Sequence, residues 1–176
     1  GRKCTICKIP KVNAENFLNE YHIQGFVRGT IHLGAYYNNE LIAVMSFTKE
    51  KMDSDKWELT RFASNYNYIC QGVGGKLFKH FVLEYSPSEI KSFADRRWSF
   101  IGDNIYEKLG FKFENFTKPD YCYYNPKIGK YDRIHKFNFR KKTLHKKYGL
   151  DITKTETTMA DELGYVKVWN CGLIKY

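Results

Sequence analysis

No stretch of this sequence approaches the roughly 20 consecutive apolar residues that a membrane-spanning helix requires. The first residues, Gly1-Arg2-Lys3-Cys4, lack the apolar core of a secretory signal, so a soluble cytoplasmic protein is expected. Proline is scarce, at 4 residues, and there is no internal repeat, low-complexity run or Pro/Ser-rich linker. The five cysteines are odd in number and irregularly spaced, which argues against a disulfide framework. Cys4-Thr-Ile-Cys7 has the spacing of half a zinc site, but no second pair completes it, and His22 and His32 lie too far along. No metal is expected. A cysteine nucleophile is not indicated either, because nothing places a histidine beside Cys70. H-N-H-like, GIY-YIG-like and paired-carboxylate nuclease signatures are absent as well. Acidic residues are the remaining deficit, with 19 Asp and Glu against 29 Lys and Arg.

What is present is aromatic and basic. Hydrophobic residues make up 43% of the 176-residue chain, and Tyr (14) and Phe (13) are abundant enough to exclude disorder. The formal net charge of +10 favours a polyanionic partner, nucleic acid first and an acidic membrane surface second. The excess is concentrated between Lys136 and Lys147, a run without an acid in which aromatics interleave with cations. Lys136, Arg140, Lys141, Lys142, Lys146 and Lys147 are the expected phosphate contacts. A solvated basic face is the other reading of the same run.

The hydrophobic pattern predicts mixed α/β structure. A short strand is expected at 3–9, then a helix over 14–20 capped by Asn13. A hairpin follows at 30–47 around Asn38-Asn39, and a strand at 57–63. Val73, Leu77, Phe81 and Tyr85 recur at four-residue steps and predict a helix over 73–85. Beyond it a strand is expected at 90–95, a short helix at 104–109, and a strand at 111–114 pairing with 121–124. The basic run reads as helical, and another helix is expected from Thr153 or Thr155 to Gly164. Val166–Trp169 and Leu173–Tyr176 flank Asn170-Cys171-Gly172, which has hairpin chemistry.

One segment stands out chemically. Ile69-Cys70-Gln71-Gly72-Val73-Gly74-Gly75-Lys76 joins a strand to a helix, where glycines let backbone N–H groups crowd toward an anion at a helix N-terminus. Its spacing fits neither a Walker A loop nor a dinucleotide fingerprint.

The succession of hairpin, Leu59-Thr60-Arg61 strand, Gly-rich loop, helix, strand and Ile105-Tyr106-Glu107-Lys108-Leu109-Gly110-Phe111 resembles the GNAT acetyltransferase superfamily over residues 3–125. The resemblance implies an α/β fold with a mixed, mostly antiparallel central sheet flanked by helices; the tail at 126–176 lies outside it and is expected as a basic helical or hairpin extension packed on the core. It implies acetyl-CoA or another acyl-CoA-like donor, bound by Arg61, Gly72, Val73, Gly74, Gly75 and Lys76. Three strings, Phe17–Gly25, Ser92–Ser99 and Trp169–Gly172, resemble a phage-encoded family found alone or beside homing-endonuclease modules. That family is distantly similar to Mom-type DNA-modification enzymes, which implies a DNA partner and a phage-infected bacterial cell.

Within this frame Tyr106 is expected as leaving-group acid and Asp95 as base or base-orienter, the other reading of Asp95 being a salt bridge to Arg96 or Arg97. His32 is a further catalytic candidate, although a hydrogen-bonded structural histidine fits its apolar neighbours better. Arg96 and Arg97 are placed to clamp a phosphate, and Trp98 to stack on a base. Two functions remain open: an acyltransferase acting on a nucleic-acid base or nucleic-acid-bound amine, and a non-catalytic DNA-binding module associated with a homing endonuclease. The second is favoured by Ile69, where the superfamily loop commonly has Gln or Arg. Acetylation of a protein or small amine is a third reading, one that leaves the basic run without a role.

Overall fold

The computed structural model describes residues 1–128 and 133–176. The chain forms two compact units, one of residues 1–116 with 174–176 and one of residues 117–173. The division falls before the expected position at 125, because Tyr121–Tyr124 pairs within the second unit.

The first unit is built on a seven-stranded sheet in the order β1-β2-β3-β4-β5-β10-β6. Its strands are β1 (Thr5–Lys8), β2 (Ile31–Tyr37), β3 (Glu40–Lys49), β4 (Lys56–Ser64), β5 (Glu89–Asp95), β6 (Asn115–Phe116) and β10 (Leu173–Lys175). The β2–β3 hairpin turns through Asn38 and Asn39, both at positive φ, the geometry that Asn tolerates and that a two-residue hairpin demands. β1 to β4 run antiparallel to their neighbours, whereas β4 and β5 are parallel and register from Lys56↔Glu89 to Leu59↔Ser92. The crossover between them is α2 (Val73–Tyr85), whose Val73, Leu77 and Phe81 are buried as their spacing predicts. Phe81 stacks on Phe47 with centroids 3.6 Å apart and meets Trp57 edge-on at 5.1 Å. Such pairs add about 0.5–1.5 kcal/mol each beyond area burial.

On the opposite face lies α1 (Lys11–Tyr21), which buries Ala14, Phe17 and Leu18 against Val44 and Ala63. Pro10 takes the N-cap position, not the expected Asn13, which lies inside the first turn. The fixed φ of proline pre-organises that entry without a side-chain cap. α3 (Ile105–Lys108) does carry its cap: Asn104 Oδ1 accepts from the backbone N–H groups of Tyr106 and Glu107 at 2.9 and 3.2 Å.

Two expected pairings are corrected. The strand expected at 111–114 is displaced to Asn115–Phe116, and it pairs with Ile174–Lys175 rather than with 121–124. Tyr121–Tyr124 (β7) is instead the centre of a three-stranded sheet, between Ile134–His135 (β8) and Val166–Trp169 (β9). The hairpin expected around Asn170-Cys171-Gly172 is absent, because its flanking strands join different sheets. Asn170 Oδ1 accepts from the N–H groups of Asp120 and Gly172, both at 2.9 Å, which turns the chain away from a hairpin path.

The second unit packs this small sheet on a core of Tyr123, Phe139, Leu144, Met159 and Ala160. The basic run is two pieces, a 3₁₀ turn at Lys136–Phe139 and α4 (Lys141–Tyr148), separated by extended backbone at Arg140. The break lets both Phe139 and Leu144 face the core. α5 (Glu156–Glu162) starts from Thr155, whose side chain accepts from the Thr158 N–H. The expected extension at 126–176 includes 129–132, which lie outside the described residues.

Candidate active site

The site is made where β4 and β5 part. Their pairing stops at Leu59↔Ser92, although β4 continues to Ser64 and β5 to Asp95. On the other side of β4, Leu59 pairs with Phe47 and Arg61 with Ser46, so Thr60 is an extra residue, a β-bulge. A bulge bends its strand and raises its local twist, which opens the gap toward β5. Thr60 Oγ1 donates to the Ser46 carbonyl at 3.0 Å, and Arg61 donates to the Thr60 carbonyl at 2.8 Å, fixing the distortion.

The Gly-rich loop follows β4 and meets the N-terminus of α2. Gly72 is the N-cap, in left-handed conformation at φ 75°, which glycine adopts without strain. First-turn N–H groups such as those of Gly74 and Gly75 lie outside the intrahelical ladder by geometry and carry favourable partial positive charge for an anion. The glycines differ in purpose. A Cβ on Gly74 would stand 3.1 Å from the Phe62 ring and 3.4 Å from Ile105, whereas one on Gly75 would meet nothing within 4 Å. Gly74 thus allows helix–strand approach, and Gly75 leaves the loop's outer side open. Val73 is buried in the core and contributes backbone only. A cavity of about 680 Å³ adjoins the loop, lined by residues 1–4, Tyr37 and residues 68–72. The donor set fits the pyrophosphate of an acyl-CoA: open glycine backbone at a helix start, with a cavity beside it.

Lys76 is placed differently from expectation. Its ammonium donates to the carbonyls of Arg2 and Cys4, at 3.0 and 2.6 Å, and so ties the first residues to α2. Gly1 lies against the loop itself, where a Cβ would be 2.6 Å from the Gln71 carbonyl oxygen.

Strand alternation separates the expected acid and base. Ser92 and Ala94 face α3, with Ala94 packed near Tyr106, whereas Asp95 points to the α1 side. Tyr106 stacks on Tyr176 at 5.4 Å. Burial pushes its phenol above the ordinary range, while a hydrogen bond with Ser92 and the nearby Arg61 pull it the other way. Asp95 is an ion-pair partner rather than a free base. Its carboxylate accepts from Arg97 Nε at 2.9 and 3.1 Å, from the Arg97 backbone at 3.0 Å and from the Gln24 amide at 3.2 Å. The Arg97 bonds hold it below the usual carboxylate range.

Arg61 lies on the same side as Asp95. Its Nε donates to the Gly25 carbonyl at 2.9 Å, so it anchors the loop between α1 and β2 instead of a cofactor wall. Burial lowers its pKa, and its charge lies near Tyr106. His32 is buried with Nδ1 2.7 Å from Ser46 Oγ, and burial lowers its pKa, so it is held neutral. Its Nε2 has no hydrogen-bond partner among the described residues.

Sequence reasoning missed His22, Gln24 and Ser92. His22 Nδ1 accepts from the Gln24 N–H at 3.0 Å, and burial next to Arg61 pushes its pKa down to about 4. Ser92 Oγ donates to the Leu59 carbonyl at 2.7 Å, at the point where the strands part. The only local signal was the loop marked by Gly25 and Gly29.

The expected nucleic-acid contacts are divided between the units. In the first, Arg96 lies over the Phe116 ring at 4.5 Å, Arg97 serves Asp95, and Trp98 is exposed. In the second, Lys136 binds Asp120 at 2.6 and 2.8 Å, Arg140 lies over Phe137 at 4.3 Å, and the Lys141 backbone donates to Glu156. Lys142, Lys146 and Lys147 are exposed on α4. Among the described residues no cluster of three His, Cys, Asp or Glu could hold a metal, and no helix is long and apolar enough to cross a membrane.

By sequence the chain matches no protein-family model and no curated protein. By structure it is similar to Arabidopsis thaliana Naa50 in complex with a bisubstrate CoA analogue, at TM-score 0.54 and 15% identity over 66% of this chain and 87% of that one. The ribosomal-protein-S18-alanine N-acetyltransferase from Escherichia coli matches at 0.51 and 17%, over 65% and 81%. A Bacillus subtilis acetyltransferase in complex with CoA matches at 0.51 and 13%, over 98% and 96%. These matches support the fold and do not reach the phage-encoded resemblance. With its parted parallel strands and Gly-rich helix start, the chain has the GNAT acetyltransferase fold.

Proposed function

We propose that the protein is an acyltransferase that takes an acyl-CoA-type donor, acetyl-CoA in the first instance, and delivers its acyl group to an amine on a nucleic-acid base or a nucleic-acid-bound molecule. The observation that carries the donor half is the parting of β4 from β5 after Leu59 and Ser92, directly beside the glycine-lined N-terminus of α2. The net charge of +10 and the resemblance to a phage-encoded family distantly similar to Mom-type DNA-modification enzymes support the acceptor half.

An acyl-CoA supplies, when bound, a thioester carbonyl activated toward amines. Gly74 and Gly75 offer backbone N–H groups to its phosphates, and the Thr60 bulge keeps the strands apart for its arm. Tyr106 holds a proton at its phenol oxygen for a departing sulfur, and the Ser92 hydrogen bond and nearby Arg61 favour the phenolate left behind, against the burial that opposes it. Gln24, Asp95 and Arg97 shape the opposite side, where Asp95 positions the loop after α1. His22, uncharged at neutral pH, adds no further cation to a side that already holds Arg61 and Arg97.

Calorimetric titration with acetyl-CoA and CoA tests the donor half, with Gly75→Glu as the variant. Position 75 has room for a side chain, so the variant folds, and its carboxylate competes with phosphate at the helix start. Binding by the native chain, with Kd in roughly the micromolar range, and its loss in Gly75→Glu is the expected result. No binding by the native chain, together with salt-sensitive DNA binding, overturns the enzyme in favour of the DNA-docking module.

A further inference from the structure

We infer that the second unit carries a stacking platform for unpaired bases, centred on Tyr121 and Trp169, so that the nucleic acid this protein engages is single-stranded where it meets that unit. The inference rests on the nucleic-acid partner of the proposed function but not on its donor.

The platform is produced by register. Tyr121 on β7 is directly opposite Trp169 on β9, which puts both rings on one face of the small sheet, with centroids 5.0 Å apart. Tyr123, two residues on, shares that face and is fully buried in the core. The same row therefore runs from a packed interior at Tyr123 to an open rim at Trp169, which is 61% exposed. Trp169 thus presents ring surface to solvent at the edge of the buried core.

What could cover this rim is limited by charge. Lys167 lies over the Tyr121 ring at 4.7 Å and Lys136 at 5.4 Å, so the aromatic pair is bracketed by ammonium groups. Next in sequence to Lys136 is Phe137, 56% exposed, with the Arg140 guanidinium 4.3 Å above its ring. Asp120 neutralises Lys136, whereas neither Lys167 nor Arg140 has a salt bridge among the described residues. The whole segment 117–173 holds twice as many Lys and Arg as Asp and Glu.

Exposed rings interleaved with Lys167 and Arg140, cations without a salt bridge among the described residues, match the alternating bases and phosphates of a single strand. A duplex hides the faces of its bases and would use the cations alone. A membrane surface requires a contiguous apolar face, whereas cations lie over the Tyr121 and Phe137 rings here.

The test is fluorescence anisotropy of the full chain with a labelled single-stranded DNA 20-mer of mixed sequence, the matching duplex, and vesicles containing phosphatidylserine. Single-strand binding tighter than duplex binding is expected, with little vesicle binding. Trp169→Ala should weaken the single-strand complex roughly 10-fold or more while changing duplex binding much less. Trp169→Phe should restore most of the loss, and circular dichroism of both variants shows whether the unit remains folded. Lys167→Gln provides a second probe, lowering the salt-dependence slope by about 0.7 with single strands. Equal single-strand affinity in native and Trp169→Ala chains overturns the platform, as does tighter binding to duplex or vesicles than to the single strand. No binding to any nucleic acid removes the acceptor half of the proposed function as well. Trp169-dependent binding without any acetyl-CoA binding leaves the platform standing and removes the donor half.

Discussion

Gln24 and Asp95, 71 positions apart, meet through their side chains, with the Gln24 amide donating to Asp95 Oδ2 at 3.2 Å. This bond joins the loop after α1 to the end of β5, on the side of the cleft away from α2. Asp95→Asn removes the charge that Arg97 and Gln24 share while preserving shape. A loss of roughly 1–3 kcal/mol is expected, the range for hydrogen bonds to a charged group left without its partner. Urea unfolding measures it. A loss below the error of that measurement would show that the pair is solvated and that Asp95 does not position the loop.

Gly74 and Gly75 should respond oppositely to substitution. Gly75→Ala meets open space in a helix and should stabilise by about 0.5–1 kcal/mol, through lower entropy in the unfolded chain. Gly74→Leu drives a side chain into Phe62 and Ile105 and should destabilise by about 1–3 kcal/mol. Melting curves of the two variants, compared at one pH, reveal whether the neighbours are packed as described.

Acid should weaken the first unit in two stages. His22 and His32 both have folded pKa values below the ordinary 6.5, so the unfolded chain binds protons first as pH falls. Stability is full above about pH 6.5 and declines toward pH 4, the region of the His22 pKa. Asp95 has its pKa lowered from 3.8, so its contribution is present above that value and is lost as pH falls further. Denaturant midpoints from pH 7 to pH 3 trace both stages. His22→Gln should shrink the first stage to the share of His32 and leave the second.

Tyr106→Phe keeps the ring on Tyr176 and deletes the hydroxyl. Stability should fall by only about 1 kcal/mol, the worth of the bond to Ser92. Turnover should fall by roughly 10²–10⁴, with donor affinity unchanged, if the phenol supplies the proton. Thiol release during acyl transfer, beside calorimetric donor binding, separates the two effects. Unchanged turnover would remove Tyr106 as the acid.

Lys76→Met should loosen the first residues without unfolding α2, because its ammonium serves the Arg2 and Cys4 carbonyls. Hydrogen exchange should accelerate over residues 1–4 and stay slow over Leu77–Phe81. Equal protection in both chains would mean that the hold lies elsewhere.

The sequence by itself determined the elements whose signals are local. The period of Val73, Leu77 and Phe81 specified α2, Asn38-Asn39 specified the hairpin turn, and the glycines of 72–75 marked the start of that helix, because each depends on residues within one turn of backbone. Tertiary structure alone decided the pairings. Asn115–Phe116 finds β10 near the chain end, and Tyr121–Tyr124 finds β8 and β9, since strand partners are chosen by long-range register and burial. The site followed the same rule. Tyr106 and the glycines were legible from a motif order, but the Thr60 bulge, the occupation of Asp95 by Arg97 and Gln24, and the diversion of Lys76 were not. Each depends on which backbone carbonyl or side chain a distant segment brings within 3 Å, and no local pattern encodes that distance.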